Sequence, residues 1–243
     1  MTPNELYRAG ELNAAIKALG DELRNKPLDA KCRTFLFELL LFAGEFGRAE
    51  KHLDVLASAG GSASAGALLY LSGLHAEKTR QEMFREKSFP SQKEGAPSIS
   101  GRANSKPFVE FYDADPRIGD NLEVFIAGSY TWIPMKFMRR LEIEEPKMLR
   151  DLMWARAQVE TSPAFRLQEL GEVLIPAICP LSSQHSSEHV RLGRESVWEA
   201  DEEFGEIPFG PKLMVVDGVE VPLLELRSVE WSATAEEAED ATA

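Results

Sequence analysis

Apolar residues in the first third of the chain recur with the spacing of one helical face. Leu12, Ala15, Ile16, Leu19 and Leu23 fall at i, i+3, i+4, i+7 and i+11, a single stripe. Phe35, Leu36, Leu39, Leu40 and Ala43 repeat the scheme, as do Ala49, Leu53 and Leu56. A longer amphipathic segment over 63–86 follows, with Leu68, Leu71, Leu74 and Met83 among its apolar positions. Gly10 suits the left-handed position that ends a helix, and Pro27 with Asp29 stops one hairpin and opens the next. From Phe108 the period changes to that of strands. Short β-branched or aromatic runs at 108–112, 122–127, 130–134, 156–160, 172–179, 196–199, 212–216 and 219–223 are bounded by turn residues. Asp217-Gly218, between two valine-rich runs, predicts a type I′ hairpin. Helical pieces are expected at 135–141 and 147–153.

The helical third contains an internal echo. Residues 10–15 read Gly-Glu-Leu-Asn-Ala-Ala and residues 44–49 read Gly-Glu-Phe-Gly-Arg-Ala, an offset of 34 residues, the period of a tetratricopeptide (TPR) hairpin. Gly10, Leu12, Ala15, Leu19 and Pro27 fit that repeat's second helix. Gly44, Phe46, Ala49 and Leu53 fit it again, with Gly61 where proline would stand. The alanine is the point of close helix contact, and the larger residues fill the gap beside it. On this register Lys31, Thr34, Glu38, Leu41 and Phe42 face the concave side, where such a stack receives another polypeptide. Leu41 and Phe42 also read as core, covered by the third hairpin or by the C-terminal residues.

Composition divides the 243 residues further. Residues 87–107 are rich in Ser, Pro, Gly, Lys and Asn and read as a flexible linker. Residues 232–243 read as a disordered acidic tail. The expected organisation is a TPR-like helical domain over 1–86, the linker, and a β-rich domain over 108–231. The fold class is α+β, its second domain mainly antiparallel and barrel-like. Residues 1–86 are almost neutral, whereas 108–231 carry 23 acidic against 12 basic side chains. With no basic stripe to displace counterions, nucleic acid and anionic membrane are poor partners. Cys32 and Cys179 stand far apart in unrelated contexts and read as reduced thiols. The N-terminus lacks a secretory signal pattern, and the longest apolar stretch, around 35–43, is broken by Glu38 and too short to span a bilayer. A cytoplasmic protein is expected.

Candidate chemistry is sparse. The stretch Asp113 to Asp120 resembles a calcium loop, but Pro116 and Arg117 intrude and its twelfth position is Val124. A turn held by Asp side chains, with Arg117 pairing locally, accounts for it better. His185 and His189 stand four apart, yet Ser182, Ser183, Ser186 and Ser187 favour a solvated loop. Asp201-Glu202-Glu203 reads as another. No nucleophile elbow or phosphate-cradling glycine loop is present, so no catalytic residue, cofactor or metal ligand is assigned.

A resemblance adds what spacing cannot. The ordered set Asp113–Asp120, Gly128-Ser-Tyr130-Thr-Trp132-Ile133-Pro134, Arg150-Asp151-Leu152-Met153-Trp154, Gly171-Glu172-Val173-Leu174-Ile175-Pro176-Ala177, Leu192-Gly193-Arg194 and Val221-Pro222-Leu223-Leu224-Glu225-Leu226-Arg227 resembles the ImpE/SciE family, the TagJ-type accessory proteins of bacterial type VI secretion. The resemblance implies a non-enzymatic adaptor that binds a helix of the small sheath subunit (TssB type). It also implies a link to the ClpV-type AAA+ ATPase that recycles contracted sheath. Trp132 and Trp154 are expected as core or inter-domain anchors. Two other readings compete: an acidic-barrel hydrolase or small-ligand-binding protein with a helical lid, and a TPR co-chaperone for acidic tails. The co-chaperone needs a basic clamp, and only Lys31 is available for one.

Overall fold

Helix boundaries follow from local start and stop signals. The computed structural model describes residues 1–58, 62–90, 99–165 and 169–232. Helix α1 (Pro3–Ala9) begins at Thr2, whose hydroxyl accepts from the Glu5 N–H while the Glu5 carboxylate accepts from the Thr2 N–H. It ends at Gly10, in the left-handed region at φ 86°. Helix α2 (Leu12–Asn25) follows, then α3 (Ala30–Phe42), where Asp29 accepts from the Cys32 N–H. Gly44, at φ 68°, separates α3 from α4 (Phe46–Ser58), and α5 (Ser62–Arg85) completes the run. Each helix packs on the next. The whole Leu12–Leu23 stripe is buried, and Ala15 and Ala49 are equally inaccessible.

The β-rich residues form strands β1 (Gly101–Ala103), β2 (Lys106–Phe108), β3 (Phe111–Asp113), β4 (Asn121–Ile126), β5 (Ser129–Pro134) and β6 (Met138–Ile143). Next come β7 (Trp154–Thr161), β8 (Glu169–Pro176), the short helix α6 (Glu188–Arg191), β9 (Val197–Asp201) and β10 (Gly205–Phe209). The last three strands are β11 (Leu213–Val216), β12 (Val219–Pro222) and β13 (Ser228–Trp231). Among the described residues every ladder is antiparallel. One eight-stranded sheet has the order β2-β1-β13-β6-β7-β8-β4-β5, a second runs β12-β11-β3, and β9 pairs with β10. Asp217 and Gly218 both have positive φ, as the type I′ turn between β11 and β12 requires.

The barrel-like expectation is corrected. The large sheet stays open, with β2 and β5 as its edges. Strand β2 is three residues long and includes Pro107, which suits an edge because proline donates nothing to a further ladder. Strand β5 lies against α5. The large and three-stranded sheets share one apolar core, which includes Val124, Ile133, Met138, Leu141, Ile175, Met214 and Val229.

Three local expectations also differ. Residues 101–107, assigned by composition to the linker, form the β1–β2 hairpin together with Phe108. Its turn rests on Asn104 and Ser105 at positive φ, and the Asn104 side chain accepts from the Arg227 and Ser228 N–H groups. Backbone pairing orders this segment, a gain that polar composition does not reveal. Residues 135–141, expected as helix, are a 3-10 turn (Met135–Phe137) running into β6. A register irregularity between Met138 and Arg140 disguises the strand period there. The piece near 147–153 is a single 3-10 turn, Leu149–Leu152. Residues 91–98 of the linker and 233–243 of the acidic tail lie outside the described residues.

Candidate functional site

The face expected to receive a partner is covered from within the chain. Leu41 and Phe42 are 0% and 1% exposed, in a core completed by Trp154, Leu174, Ile178 and Leu192 of the β-rich part. Glu38 is also buried, and its carboxylate accepts from Arg150 Nη1 at 2.7 Å. Burial pushes the Glu38 carboxyl up, and the Arg150 ion pair opposes it. Thr34 is half-buried and donates to the Ala30 carbonyl at 2.9 Å; Lys31 is exposed. Glu38, Leu41 and Phe42 therefore meet as internal contacts. They can touch a partner only if the helices separate from the β-rich part.

Residues 178–194 supply much of the cover. Arg194 donates to the Tyr7 and Arg8 carbonyls at 2.7 and 3.2 Å, and Arg191 reaches the Ala43 carbonyl at 3.5 Å. Two arginines thus meet the carbonyl-rich ends of α1 and α3, where the helix dipole favours a cation. Glu188 accepts from the Asn13 N–H at 3.3 Å. Both glycines of the echo are landing points, because a Cβ at Gly10 would overlap the His189 ring and one at Gly44 would lie 2.6 Å from Ser183 Oγ. His185 and His189 serve different neighbours: His185 Nε2 is 3.1 Å from Glu199 Oε1, whereas His189 lies on Gly10. Gly10→Ala is expected to cost about 1–3 kcal/mol in a urea titration, from left-handed strain and the His189 overlap. Gly20→Ala, in α2 with open space around it, is expected to gain up to about 1 kcal/mol. Equal effects of the two changes would refute this docking.

Below this cover, α5 packs on β4 and β5, and its Gly73 faces Trp154 of β7 and Leu174 of β8. Trp154 is fully buried, stacked near Tyr70 at 6.4 Å and edge-on to Phe125 at 6.2 Å, and its indole N–H donates to Glu77 at 2.9 Å. It is buried in the core that the helices and the β-rich part share, within the expectation of a core or inter-domain anchor. Trp132 is half-buried, stacked on Phe89 at 6.3 Å, and donates to the Tyr130 hydroxyl. Arg80, fully buried, donates through Nε and Nη2 to Glu123 at 2.7 and 3.1 Å, to the Ile178 carbonyl at 3.0 Å, and to Glu77 at 3.2 Å. Lys212 reaches Glu123 and Asp113, each at 2.5 Å, and Tyr130 donates to Glu123 at 2.5 Å. Burial alone would raise the Glu123 carboxyl, but Arg80 and Lys212 reverse this and hold it well below the usual range. Burial, with Glu123 beside it, pushes the Tyr130 phenol up. Glu77, Arg80, Asp113, Glu123 and Lys212 are engaged with one another and sealed from solvent, so their arrangement suits a latch.

Sequence inspection missed this network, although two signals existed. Glu77, Arg80, Gln81 and Phe84 follow the i, i+3, i+4, i+7 spacing of the inward stripe of α5. Strand alternation puts Glu123 on the face of Phe125, opposite Leu122 and Val124. The Asp113–Asp120 loop has the expected form. Asp113 accepts from the Asp115 N–H at 3.0 Å, and Asp115 pairs with Arg117 through contacts of 2.8 and 2.6 Å. Among the described residues no group of three His, Cys, Asp or Glu could hold a metal, and no helix is long and apolar enough to cross a membrane.

Where the junction meets solvent it opens into a groove of about 280 Å³ lined by Leu69, Gly73, Phe125, Gly128, Leu170 and Leu174. Leu69 on α5, part of its wall, is exposed.

Residues 105–230 match the family described as ImpE protein. A relative from Pseudomonas aeruginosa, the type VI secretion system accessory component TagJ, is 31% identical over 96% of this chain and 92% of its own length. The fold is similar to the crystal structure of protein VPA1032 from Vibrio parahaemolyticus, with a TM-score of 0.83 over 97% of this chain and 99% of that one, at 20% identity. By the match over its β-rich half and the near full-length relative, the chain belongs to the ImpE family.

Proposed function

We propose that this protein is a non-enzymatic adaptor of a bacterial type VI secretion system. It binds an amphipathic helix of the small sheath subunit (TssB type) and works with the ClpV-type ATPase on the cytoplasmic side of the machine. The observation that carries the reading is the 31% identity, over nearly the whole chain, to a relative named as an accessory component of that system. The equivalent burial of Ala15 and Ala49 supports a TPR-like character for the hairpins. The apolar filling of the β-rich core counts against a ligand-binding barrel.

With Leu41 and Phe42 inside, the reading favours the groove beside Leu69 as the docking surface. An amphipathic helix lays apolar anchors into such grooves, and Leu69 is the exposed leucine on its wall. Titration of a labelled peptide of the sheath subunit's terminal helix, followed by fluorescence anisotropy, tests this. Saturable binding is expected, weakened about tenfold (~1.4 kcal/mol) or more by Leu69→Glu at unchanged melting temperature, and unaffected by Lys31→Glu. The reverse pattern would move the site to the exposed edge of α3. No binding at concentrations on the order of tens of micromolar would reject the adaptor reading itself.

A further inference from the structure

The sealed junction does not balance its charges. Glu77, Glu123 and Asp113 face Arg80 and Lys212, and all five are at most 2% exposed. Asp115 and Arg117 beside them neutralise each other. Fully ionised, the five groups carry one uncompensated negative charge, which a low-dielectric interior penalises heavily.

Hydrogen bonding shows which carboxylate is served worst. Glu123 accepts from Arg80 Nε and Nη2, from Tyr130 and from Lys212. Glu77 accepts from Arg80 Nη1, Gln81 and Trp154. Asp113 Oδ1 accepts from the Asp115 N–H, but among the described residues Oδ2 has an ion contact with Lys212 that lacks hydrogen-bond alignment and no hydrogen-bond partner. We propose that the latch between α5 and the sheets holds one exchangeable proton on Asp113, and that the latch loosens when this proton leaves.

The surroundings of Asp113 agree. Burial raises its carboxyl from an ordinary 3.8 to about 7; Lys212, just before β11, opposes this, while Glu123 of β4 and Asp115 of the following loop add to it. Arg80 and Glu77 face the cluster from α5, Tyr130 from β5, and Arg117 from the loop. Cys179, after β8, stays a neutral thiol because burial pushes it up to about 12. The folded-state value lies above the unfolded one. The protonated Asp113 therefore contributes stability that is complete below about pH 4 and is lost as pH rises through about 7. Glu123, held low, acts oppositely and contributes above the ordinary glutamate range.

Asp113→Asn isolates this effect, because an amide has the shape of the protonated acid and cannot release a proton. Melting temperatures of wild type and variant are compared from about pH 5.5 to about pH 8.5. The wild type is expected to melt below the variant throughout, by a gap that widens by several degrees from the acid end to about pH 7 and then stays constant. Parallel curves would overturn the proposal. If the variant does not fold, infrared difference spectra of the native wild type decide. A protonated-carboxyl stretch that vanishes near neutral pH supports the proposal, and its absence throughout overturns it. In a folded variant the band must be missing; its persistence would place the proton elsewhere and overturn the assignment to Asp113.

Discussion

An Arg80→Met variant is expected to lose about 3–5 kcal/mol of folding stability, read as a lower urea midpoint at unchanged slope. Arg80 contacts two carboxylates and one carbonyl in a site with no solvent. Its removal leaves Glu77 and Glu123 facing Lys212 alone, and unpaired buried charge costs far more than a surface ion pair contributes. Arg80→Lys is expected to rescue little, since a point cation cannot reproduce the planar fork toward Glu123 and Ile178. Adding Glu123→Gln to Arg80→Met is expected to recover part of the loss, because it removes the stranded charge. A loss below about 1 kcal/mol for the single variant would show that water enters the junction readily.

Trp154→Ala is expected to cost about 3–5 kcal/mol, the usual range for emptying a large aromatic site in a packed core. Its ring is fully buried between Tyr70, Phe125 and the helices, in the one core shared by both halves of the chain. The indole N–H adds a second contribution through Glu77. Trp154→Phe keeps most of the apolar surface and is expected to cost about 1–3 kcal/mol, largely for the donor lost to a buried carboxylate. Guanidinium unfolding of the pair separates packing from hydrogen bonding. Equal losses would mean that the donor to Glu77 dominates and the ring's packing contributes little.

What the sequence revealed and concealed follows from the range of each interaction. The α2 stripe and the Asp29 cap depend on residues a few positions apart, and both were legible. Strands β4, β5 and β11 were legible for the same reason. Strand β6 was not, because the irregularity at Met138 hides its alternation, and β1–β2 were not, because their order comes from backbone pairing. What covers a face is harder still. Arg194 meets Tyr7 across 187 positions, Lys212 meets Glu123 across 89, and Arg80 meets Glu123 across 43. No local pattern encodes such pairs. For Leu41 and Phe42 the sequence therefore left docking face and covered core as competing readings, and their burial decides for the core.

Strand β13 lies between β1 and β6, with Gly101 paired to Trp231 and Glu230 to Arg140. During synthesis the helices and β1 to β12 leave the ribosome before the strand that joins them. Until Ser228–Trp231 emerges, the ladder sides of β1 and β6 stay unpaired and the shared core lacks Val229 and Trp231. Such long-range closure slows folding and leaves sheet edges open to other nascent chains. The helices, built from local contacts, form early, so the β-rich part closes against a partner already in place.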